Sequence, residues 1–189
     1  MGEQLIQFSG ISKSYKRTQI LSKLDLEVPK NEFTVLFGLP GSGRSVLLRL
    51  LMGLEKPTEG RIMLRGEDVT DVPAGDRNLG YVPQSFALFP NQTVYDNIGY
   101  PLKLSGAGKD TIDREVHRAS RMLQIEDLLG KLPNQISGGQ KQRVAIARGL
   151  VKESDVYVLD DPLAGLDFKL RERLVEDLRD LQRQLNVTF

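Results

Sequence analysis

The stretch GLPGSGRS, Gly38–Ser45, decides the fold of this chain. It lies between an apolar run, FTVLFG at 33–38, and a segment with helical spacing, SVLLRLLMGL at 45–54. Its three glycines allow the backbone to curl so that several N–H groups converge. The positive end of the following helix adds to this concentration of donors. The stretch therefore predicts an anion site of the kind that holds a phosphate group.

This loop departs at one residue from the phosphate-binding pattern G-x-x-x-x-G-K-[ST], because Arg44 stands where the pattern has lysine. Arginine keeps the positive charge but replaces a compact ammonium with a larger planar fork. Arg44 either still reaches the outer phosphates of a nucleotide or turns aside and leaves them to the backbone. We therefore expect phosphate binding to survive in weakened form, with the Ser45 hydroxyl available to Mg²⁺.

Composition excludes several classes of function. The 189 residues can bury one substantial core, and 40% hydrophobic with 27% charged residues is typical of a globular protein. A net charge of +1 argues against a nucleic-acid partner, and the lack of cysteine excludes disulfides, zinc ribbons and thiol catalysis. The longest apolar stretch contains Arg49 and is too short to cross a bilayer. Any membrane role is therefore expected to be that of a peripheral subunit.

Apolar patterns predict the strands. In ILSKLDLEV, at 20–28, Leu24, Leu26 and Val28 share one face, as in a half-buried strand. FTVLFG at 33–38 is apolar almost throughout and predicts a buried strand, and RIMLRGEDV at 61–69 predicts a further strand leading into a loop. DVYVLDD, at 155–161, predicts another buried strand, which ends in two carboxylates.

The region from about 91 to 140 has helical character. Its longest helical pattern carries an apolar face, and Asp110 is expected to cap that helix. Further helices are expected after SGGQ and over 168–185, and the charges of the last one, including Arg173 with Asp177 at i,i+4, predict a solvated face. The apolar face of the first pattern consists of Ile112, Val116, Ala119, Leu123 and Leu128. A strand, glycine loop and helix followed later by a strand ending in carboxylates indicate an α/β nucleotide-binding core.

The segment QISGGQKQRVAIARGLV, at 135–151, contains Ile136-Ser137-Gly138-Gly139-Gln140, which resembles the LSGGQ signature of ATP-binding cassette (ABC) ATPases. The strand DVYVLDD matches that family's Walker B strand, and the resemblance covers essentially the whole chain. It implies an α/β fold: a RecA-like P-loop NTPase core with an N-terminal antiparallel β subdomain and a helical signature subdomain. We expect residues 1–189 to form a single ATPase domain, with the helical subdomain at about 91–140.

The resemblance also implies roles for individual residues. ATP would contact Tyr15, which stacks on adenine, and the loop residues Gly38, Leu39, Pro40, Gly41, Ser42, Gly43, Arg44 and Ser45. Mg²⁺ would be held by Ser45, Gln84 and Asp160, and the catalytic residues would be Gln84 and Asp161. Ser137, Gly138, Gly139 and Gln140 would contact the γ-phosphate bound by an opposite subunit, and Asp167 would communicate across that dimer.

Two further departures from the family pattern concern hydrolysis. Asp161 stands where the family has glutamate, and its side chain is shorter by about 1.5 Å; a misplacement of about 1 Å can cost ~10²-fold in rate. The family's switch histidine follows a strand that this chain reaches only at 186–189, and His117 lies on a predicted helix surface. We expect a truncated piece of a longer ATPase, lacking the end of the domain and any regulatory domain. Nucleotide binding is expected, with slow hydrolysis.

Two interpretations of function stay open. SFALFPNQTVYDNIGYPLKLSG, at 85–106, resembles the corresponding segment of maltose-type subunits that energise sugar and glycerol-phosphate uptake. This implies ATP, a second ATPase subunit and transmembrane permease subunits as partners, at the cytoplasmic face of the cell membrane. The alternative is a hydrolysis-impaired regulatory subunit paired with a competent ATPase. A DNA-repair or translation relative is disfavoured, because one cassette is present and no long coiled coil separates Gln84 from Ser137.

Overall fold

A computed structural model describes residues 4–189 of the chain. The described residues divide into two compact units. The first runs as far as Leu79 and includes Asn186–Phe189, and the second is Gly80–Leu185. The glycine-rich loop lies in the first unit, whereas Gln84, the two carboxylates at 160 and 161 and the SGGQ segment lie in the second.

The first unit contains a four-stranded antiparallel sheet. Its strands are β1 (Gln4–Tyr15), β2 (Thr18–Pro29), β3 (Glu59–Leu64) and β4 (Glu67–Asp68), in the order β2-β1-β3-β4. Phe8 on β1 lies opposite Leu26 on β2 and Ile62 on β3. In β2, Val28 is buried and Leu24 and Leu26 are half-buried, while Asp25 and Glu27 are exposed, which agrees with the predicted alternation. The predicted N-terminal antiparallel subdomain is therefore confirmed.

The helix predicted after the glycine-rich loop is also present. It is α1 (Arg44–Leu51), and it buries Val46, Leu47, Leu50 and Leu51 in the first unit. Spacing of three and four residues places these side chains on one face, and burying each contributes about 1.5–3 kcal/mol. The packing of that face fixes where the start of α1 lies, and with it the loop that precedes the helix.

The strand predicted at 33–38 is not formed. Backbone hydrogen bonds join Thr34 N to Phe189 O at 2.8 Å and Phe189 N to Glu32 O at 3.0 Å. Residues 35–38 beyond this pairing belong to no strand, and Val35 and Phe37 are 71% and 95% exposed. A strand needs a paired neighbour along its length. An apolar run describes the side chains that such a neighbour would bury, but it does not supply the neighbour.

The second unit combines a pair of parallel strands with four helices. The strands are β5 (Gly80–Val82) and β6 (Tyr157–Leu159), and β6 follows the predicted DVYVLDD pattern. The helices are α2 (Val94–Leu104), α3 (Lys109–Met122), α4 (Gly138–Leu150) and α5 (Phe168–Leu185). Short 3₁₀ turns occupy Glu126–Leu128 and Pro133–Gln135. The helical character predicted for about 91–140 is therefore observed, and the predicted bounds of the last helix match α5.

Two local predictions in this unit were wrong. The N-cap of α3 is Gly108, so Asp110 lies within the first turn, where its charge favours the positive end of the helix without capping it. The Asp177 carboxylate pairs with Arg143 of α4, at 2.8 Å between Oδ2 and Nη2. Helix spacing placed Arg173 beside Asp177, but it could not show that α4 would bring a second arginine to that carboxylate.

Candidate functional site

The glycine-rich loop forms a tight turn that ends at the start of α1. Ser42 N donates to Leu39 O at 3.1 Å, and Leu47 N donates to Gly43 O at 2.8 Å. Gly43 is the N-cap and has a φ of +90°, a conformation that side chains rarely adopt. A Cβ at this position would also lie 2.8 Å from Leu21 Cδ2. Glycine is therefore required here, and as the N-cap it makes no side-chain hydrogen bond to the first turn of α1.

A pocket of about 280 Å³ opens beside this turn. Tyr15, at the end of β1, forms one side of the pocket together with Ile20. The structure thus brings the predicted base-stacking tyrosine to the predicted phosphate loop, although 22 intervening residues separate Tyr15 from Gly38 in the sequence. Gly38, Leu39 and Pro40 belong to the preceding part of the turn rather than to the pocket wall. The remaining wall residues are Gly41, Ser42, Gly43, Arg44, Ser45 and Val46.

Charged side chains hold Tyr15 in position. Its hydroxyl donates to Glu55 Oε2, and this hydrogen bond raises the pKa of the Tyr15 phenol. Arg49 Nε donates to the other carboxylate oxygen of Glu55 at 2.7 Å. Partial burial opposes the charge on Glu55, but hydrogen bonds from Tyr15 and Arg49 outweigh it and lower the pKa of the carboxyl. Glu55 is therefore an anion in the folded protein near neutral pH.

A second cluster of predicted residues lies at the carboxyl ends of β5 and β6. The strands pair in register, with Val82 opposite Leu159, and Asp160 N donates to Val82 O at 2.9 Å. Because the chains continue from the same edge, Gln84 lies close to Asp161, and Gln84 Nε2 donates to Asp161 Oδ2 at 3.2 Å. The structure therefore brings two predicted catalytic residues into contact.

Asp161 adopts a φ of +50°, in the left-handed region. Few residues other than glycine occupy this region, and aspartate and asparagine are among those that tolerate it best. Ala164 N donates to Asp161 O at 3.1 Å, which closes a turn directly after the carboxylate. The turn and the Gln84 amide together fix the direction of a carboxylate that is shorter than the glutamate of the family pattern.

The SGGQ segment forms the start of α4. Ser137 is the N-cap, and its hydroxyl accepts from Gln140 N at 3.3 Å, while Ser137 N donates to Gln140 Oε1 at 2.8 Å. This reciprocal capping box fixes the backbone of Gly138 and Gly139 at the positive end of a thirteen-residue helix. Asp167 directly precedes α5, and its Oδ1 accepts from Leu170 N in the first turn of that helix at 3.0 Å. Both helix starts are ordered by side chains of the predicted site.

Arg148 of α4 contacts the segment that follows Gln84. Its Nη1 donates to Ala87 O and its Nη2 donates to Phe86 O, each at 2.6 Å. Phe86 and Ala87 have φ values of +59° and +48°, so the segment adopts a turn that these residues do not favour. Burial lowers the pKa of Arg148. The guanidinium thus stabilises a strained turn between Gln84 and α2.

The chemistry of the predicted Mg²⁺ ligands suits that ion. Ser45, Gln84 and Asp160 offer a hydroxyl, an amide and a carboxylate oxygen, and Mg²⁺ is usually bound by one or two carboxylates together with substrate phosphates. Gln84 uses its amide nitrogen in the contact with Asp161, so its oxygen is the atom suited to a cation. Within residues 4–189, His, Cys, Asp and Glu side chains form no group of three or more that could hold a metal alone.

Sequence reasoning missed Glu55 and Arg148. Glu55 follows α1 in the segment GLEKPTEG, and nothing in that segment shows that its carboxylate meets Tyr15. Arg148 lies on the apolar side of α4 among Val144, Ala145 and Ala147, and a charged residue between apolar neighbours is the one signal that could have identified it. In the described part of the chain, no helix combines the length and apolar character needed to cross a membrane.

Comparison with known sequences points to one family. The profile of the family described as "ABC transporter" matches residues 21–164. The Spermidine/putrescine import ATP-binding protein PotA of Vibrio cholerae is 41% identical over 189 residues, which are 100% of this chain and 50% of that protein. The Molybdate/tungstate import ATP-binding protein WtpC of Pyrococcus abyssi is 43% identical over 184 residues, which are 97% of this chain and 53% of that protein. The chain therefore spans about half the length of these curated relatives.

Solved structures agree with this result. The structure of cbiO1 from Clostridium perfringens, described as part of the ABC transporter complex cbiONQ, matches with a TM-score of 0.89 and 29% identity, covering 98% of this chain and 77% of that one. A dimeric post-hydrolysis state of the ATP-binding cassette MJ0796, bound to ADP and Pi, matches with a TM-score of 0.87 and 29% identity. The match covers 97% of this chain and 85% of that one. The SGGQ segment, the glycine-rich loop and these comparisons agree, and the chain belongs to the ABC transporter family.

Proposed function

We propose that the chain is the ATP-binding part of an ABC importer subunit that couples ATP binding and hydrolysis to solute uptake. The observation that carries this proposal is the pocket in which Tyr15 faces the loop Gly41–Ser45 at the start of α1. An aromatic wall beside converging backbone amides suits a base attached to a chain of phosphates. The import relatives support the transport role.

In this mechanism each group has a defined task. The loop amides bind the phosphates, and the Tyr15 ring stacks on the base. Asp161 orients the attacking water and accepts its proton, and Gln84 holds the Asp161 carboxylate in place. Ser45, Gln84 and Asp160 would hold Mg²⁺, which neutralises phosphate charge when bound. The start of α4 would contact the γ-phosphate of a partner subunit, so that a dimer completes the site.

The class of solute is not set by this part of the protein. Relatives of nearly equal identity are named for spermidine and putrescine, which are cations, and for molybdate and tungstate, which are anions. ATPase subunits of similar sequence are thus named for cargoes of opposite charge. The carbohydrate cargo expected from residues 85–106 finds no support in these relatives. We propose that membrane partner subunits select the solute, and that this subunit docks on them at the cytoplasmic face.

Titration calorimetry with MgATP tests the binding step. We expect saturable heat from the purified protein, and a large loss of affinity when Gly43→Val fills the turn, because its Cβ would meet Leu21. Gly66→Val is the matched control: Gly66 also has a positive φ, but a Cβ there would meet no atom within 4 Å. A folded wild-type protein that binds no MgATP would exclude the proposal.

A regulatory subunit that binds ATP without cleaving it is the second candidate. Arg44 and Asp161 favour it, because both replace residues that act on the γ-phosphate. Phosphate release from the dimer at saturating ATP separates the two functions. Measurable turnover supports the importer ATPase, whereas binding without turnover supports the regulatory subunit.

A further inference from the structure

We propose that Glu55 is a positioning residue of the nucleotide site, which fixes the Tyr15 ring beside the phosphate loop and thereby sets the affinity for the base. The inference rests on the proposed function, since it assumes that the pocket takes a nucleotide. It concerns a residue that lies outside the pocket wall and acts through Tyr15.

The position of Tyr15 calls for such support. It is the last residue of β1 and is 39% exposed, so the sheet alone does not confine its ring. A tyrosine at a strand end can rotate between staggered side-chain conformations, of which only one faces a given pocket. The hydroxyl bond to Glu55 Oε2 selects one conformation. Lys13 Nζ lies 5.0 Å from the ring centroid and adds a cation–π contact.

Glu55 in turn is held by α1. Arg49 Nε lies 2.7 Å from Glu55 Oε1, and Glu55 N donates to Arg49 O at 3.4 Å. Lys13 Nζ lies 3.4 Å from Oε2. The carboxylate therefore uses one oxygen for the tyrosine and the other for the helix. Because α1 begins at the phosphate loop, Glu55 links the wall that contacts the base to the element that contacts the phosphates.

The segment around Glu55 is anchored by other contacts. Thr58 N donates to Ser12 O at 2.8 Å, Ser14 N donates to Thr58 Oγ1 at 3.0 Å, and Lys13 Nζ donates to Lys56 O at 2.6 Å. These bonds tie residues 56–58 to the end of β1 without using the Glu55 carboxylate. Removing that carboxylate is therefore expected to free the Tyr15 ring while leaving the segment and the phosphate loop in place.

Removing the Glu55 carboxylate is expected to weaken the binding of the base and to leave the binding of the phosphates unchanged. Loss of one hydrogen bond to a charged acceptor, with the ring left to rotate, weakens ATP binding by about three- to tenfold. Inorganic tripolyphosphate has the same phosphates and no base, so its affinity is expected to stay within about twofold of the wild type. A general loss of structure would weaken the binding of both ligands.

The experiment measures the Kd of MgATP and of magnesium tripolyphosphate by calorimetry, for the wild type, Glu55→Ala, Tyr15→Phe and the double variant. Tyr15→Phe keeps the ring and removes only the hydroxyl. We expect either single change to weaken the binding of ATP but not that of tripolyphosphate. The double variant should bind ATP no more weakly than the single variants, because both changes remove the same hydrogen bond. Asp71→Ala, which removes an exposed carboxylate from the same unit, is the charge control and should bind both ligands like the wild type.

Several results would overturn the inference. They are an unchanged ATP affinity in Tyr15→Phe or Glu55→Ala, an equal loss for ATP and tripolyphosphate, or losses that multiply in the double variant. If Glu55→Ala does not fold, the affinities of Tyr15→Phe for ATP and tripolyphosphate test the inference. A wild-type protein that binds neither ligand contradicts the proposed function instead, whereas one that binds tripolyphosphate but gains nothing from the base contradicts the role of Tyr15.

Discussion

At the scale of single residues, Arg44 and Asp161 concern the same chemistry, since each replaces a residue that acts on the γ-phosphate in the family pattern. Neither removes the backbone amides of the loop, which come from the fold of Gly41–Ser45. Asp161 is held by the Gln84 amide and by a left-handed turn, so its carboxylate has little freedom to move forward. The two residues should therefore limit cleavage more than binding.

We expect Arg44→Lys and Asp161→Glu together, within a full-length chain, to raise ATP hydrolysis more than either change alone. Glutamate moves the carboxylate forward by about 1.5 Å, which is worth up to ~10²-fold in rate where geometry is limiting. Lysine restores the compact charge of the phosphate-binding pattern. Phosphate release at saturating ATP measures the effect. Asp180→Glu adds the same methylene at an exposed position of α5 and should not change the rate. An unchanged rate in the double variant would show that Arg44 and Asp161 do not limit cleavage.

At the scale of elements, the C-terminal end of α1 depends on a buried arginine. Arg77 is 2% exposed and donates to the carbonyl oxygens of Leu50, Leu51, Thr70 and Val72, at 2.7 to 3.2 Å. Burial lowers the pKa of Arg77. The hydrogen bonds to the carbonyl oxygens offset this cost of burial, because they occupy the N–H donors of the guanidinium. Last-turn carbonyls of a helix have no partner within the helix, so Arg77 supplies one.

We expect Arg77→Ala to lower the free energy of unfolding by about 3–5 kcal/mol, because it removes the guanidinium donors from two buried carbonyls of α1 and from the half-buried carbonyls of Thr70 and Val72. Arg77→Lys should restore part of this loss, since an ammonium can reach some of the carbonyls but not all of them. Urea unfolding measures both. Arg61→Ala, at an exposed position on β3, is the control and should change stability by less than about 0.5 kcal/mol. Equal free energies of unfolding for Arg61→Ala and Arg77→Ala would show that Arg77 does not stabilise the end of α1.

The contact between α4 and the turn at Phe86 and Ala87 gives a second prediction at this scale. Arg148→Ala removes both donors from that turn, whose left-handed residues then lose their main support. Amide hydrogen exchange over residues 83–89 should become faster by about tenfold or more, as expected when a bond to a charged donor is lost. Lys141→Ala, on the same helix, should leave this segment unchanged. Unaltered exchange in Arg148→Ala would show that the turn is stable by itself.

At the scale of the whole molecule, the sequence predicted the elements better than their partners. The glycine loop, α1, β6 and α5 follow from local patterns, because caps, glycines and apolar spacing act within a few residues. The strand expected at 33–38 failed, since pairing depends on a distant neighbour that its own residues do not specify. The same limit explains Asp177, whose partner Arg143 comes from another helix.

The candidate site divides in the same way. Most residues of the pocket wall follow from the motif or from the family resemblance, as do Gln84 and Asp161, whereas Ile20 and Val46 of the wall do not. Glu55, Arg77 and Arg148 were not predicted, because their roles depend on which carbonyl or hydroxyl the fold brings to them. Motifs mark groups that contact a ligand, whereas residues that hold those groups in place are found from three-dimensional contacts.

Acid stability tests the charge distribution of the whole chain. Hydrogen bonds and cations lower the pKa of carboxyls in both units: Glu55, Asp68, Asp96 and Glu115. A carboxyl whose pKa is lower in the folded state stabilises the protein above its unfolded pKa, and this stabilisation is lost as the pH falls through the folded pKa. The urea midpoint should therefore be nearly constant from about pH 7 to 5 and fall steadily below about pH 4.5. Asp96→Asn removes one such group, which Lys103 and Thr93 hold ionised, and should make that fall shallower. A midpoint that stays constant to about pH 3 would show that these carboxylates contribute nothing to the stability of the fold.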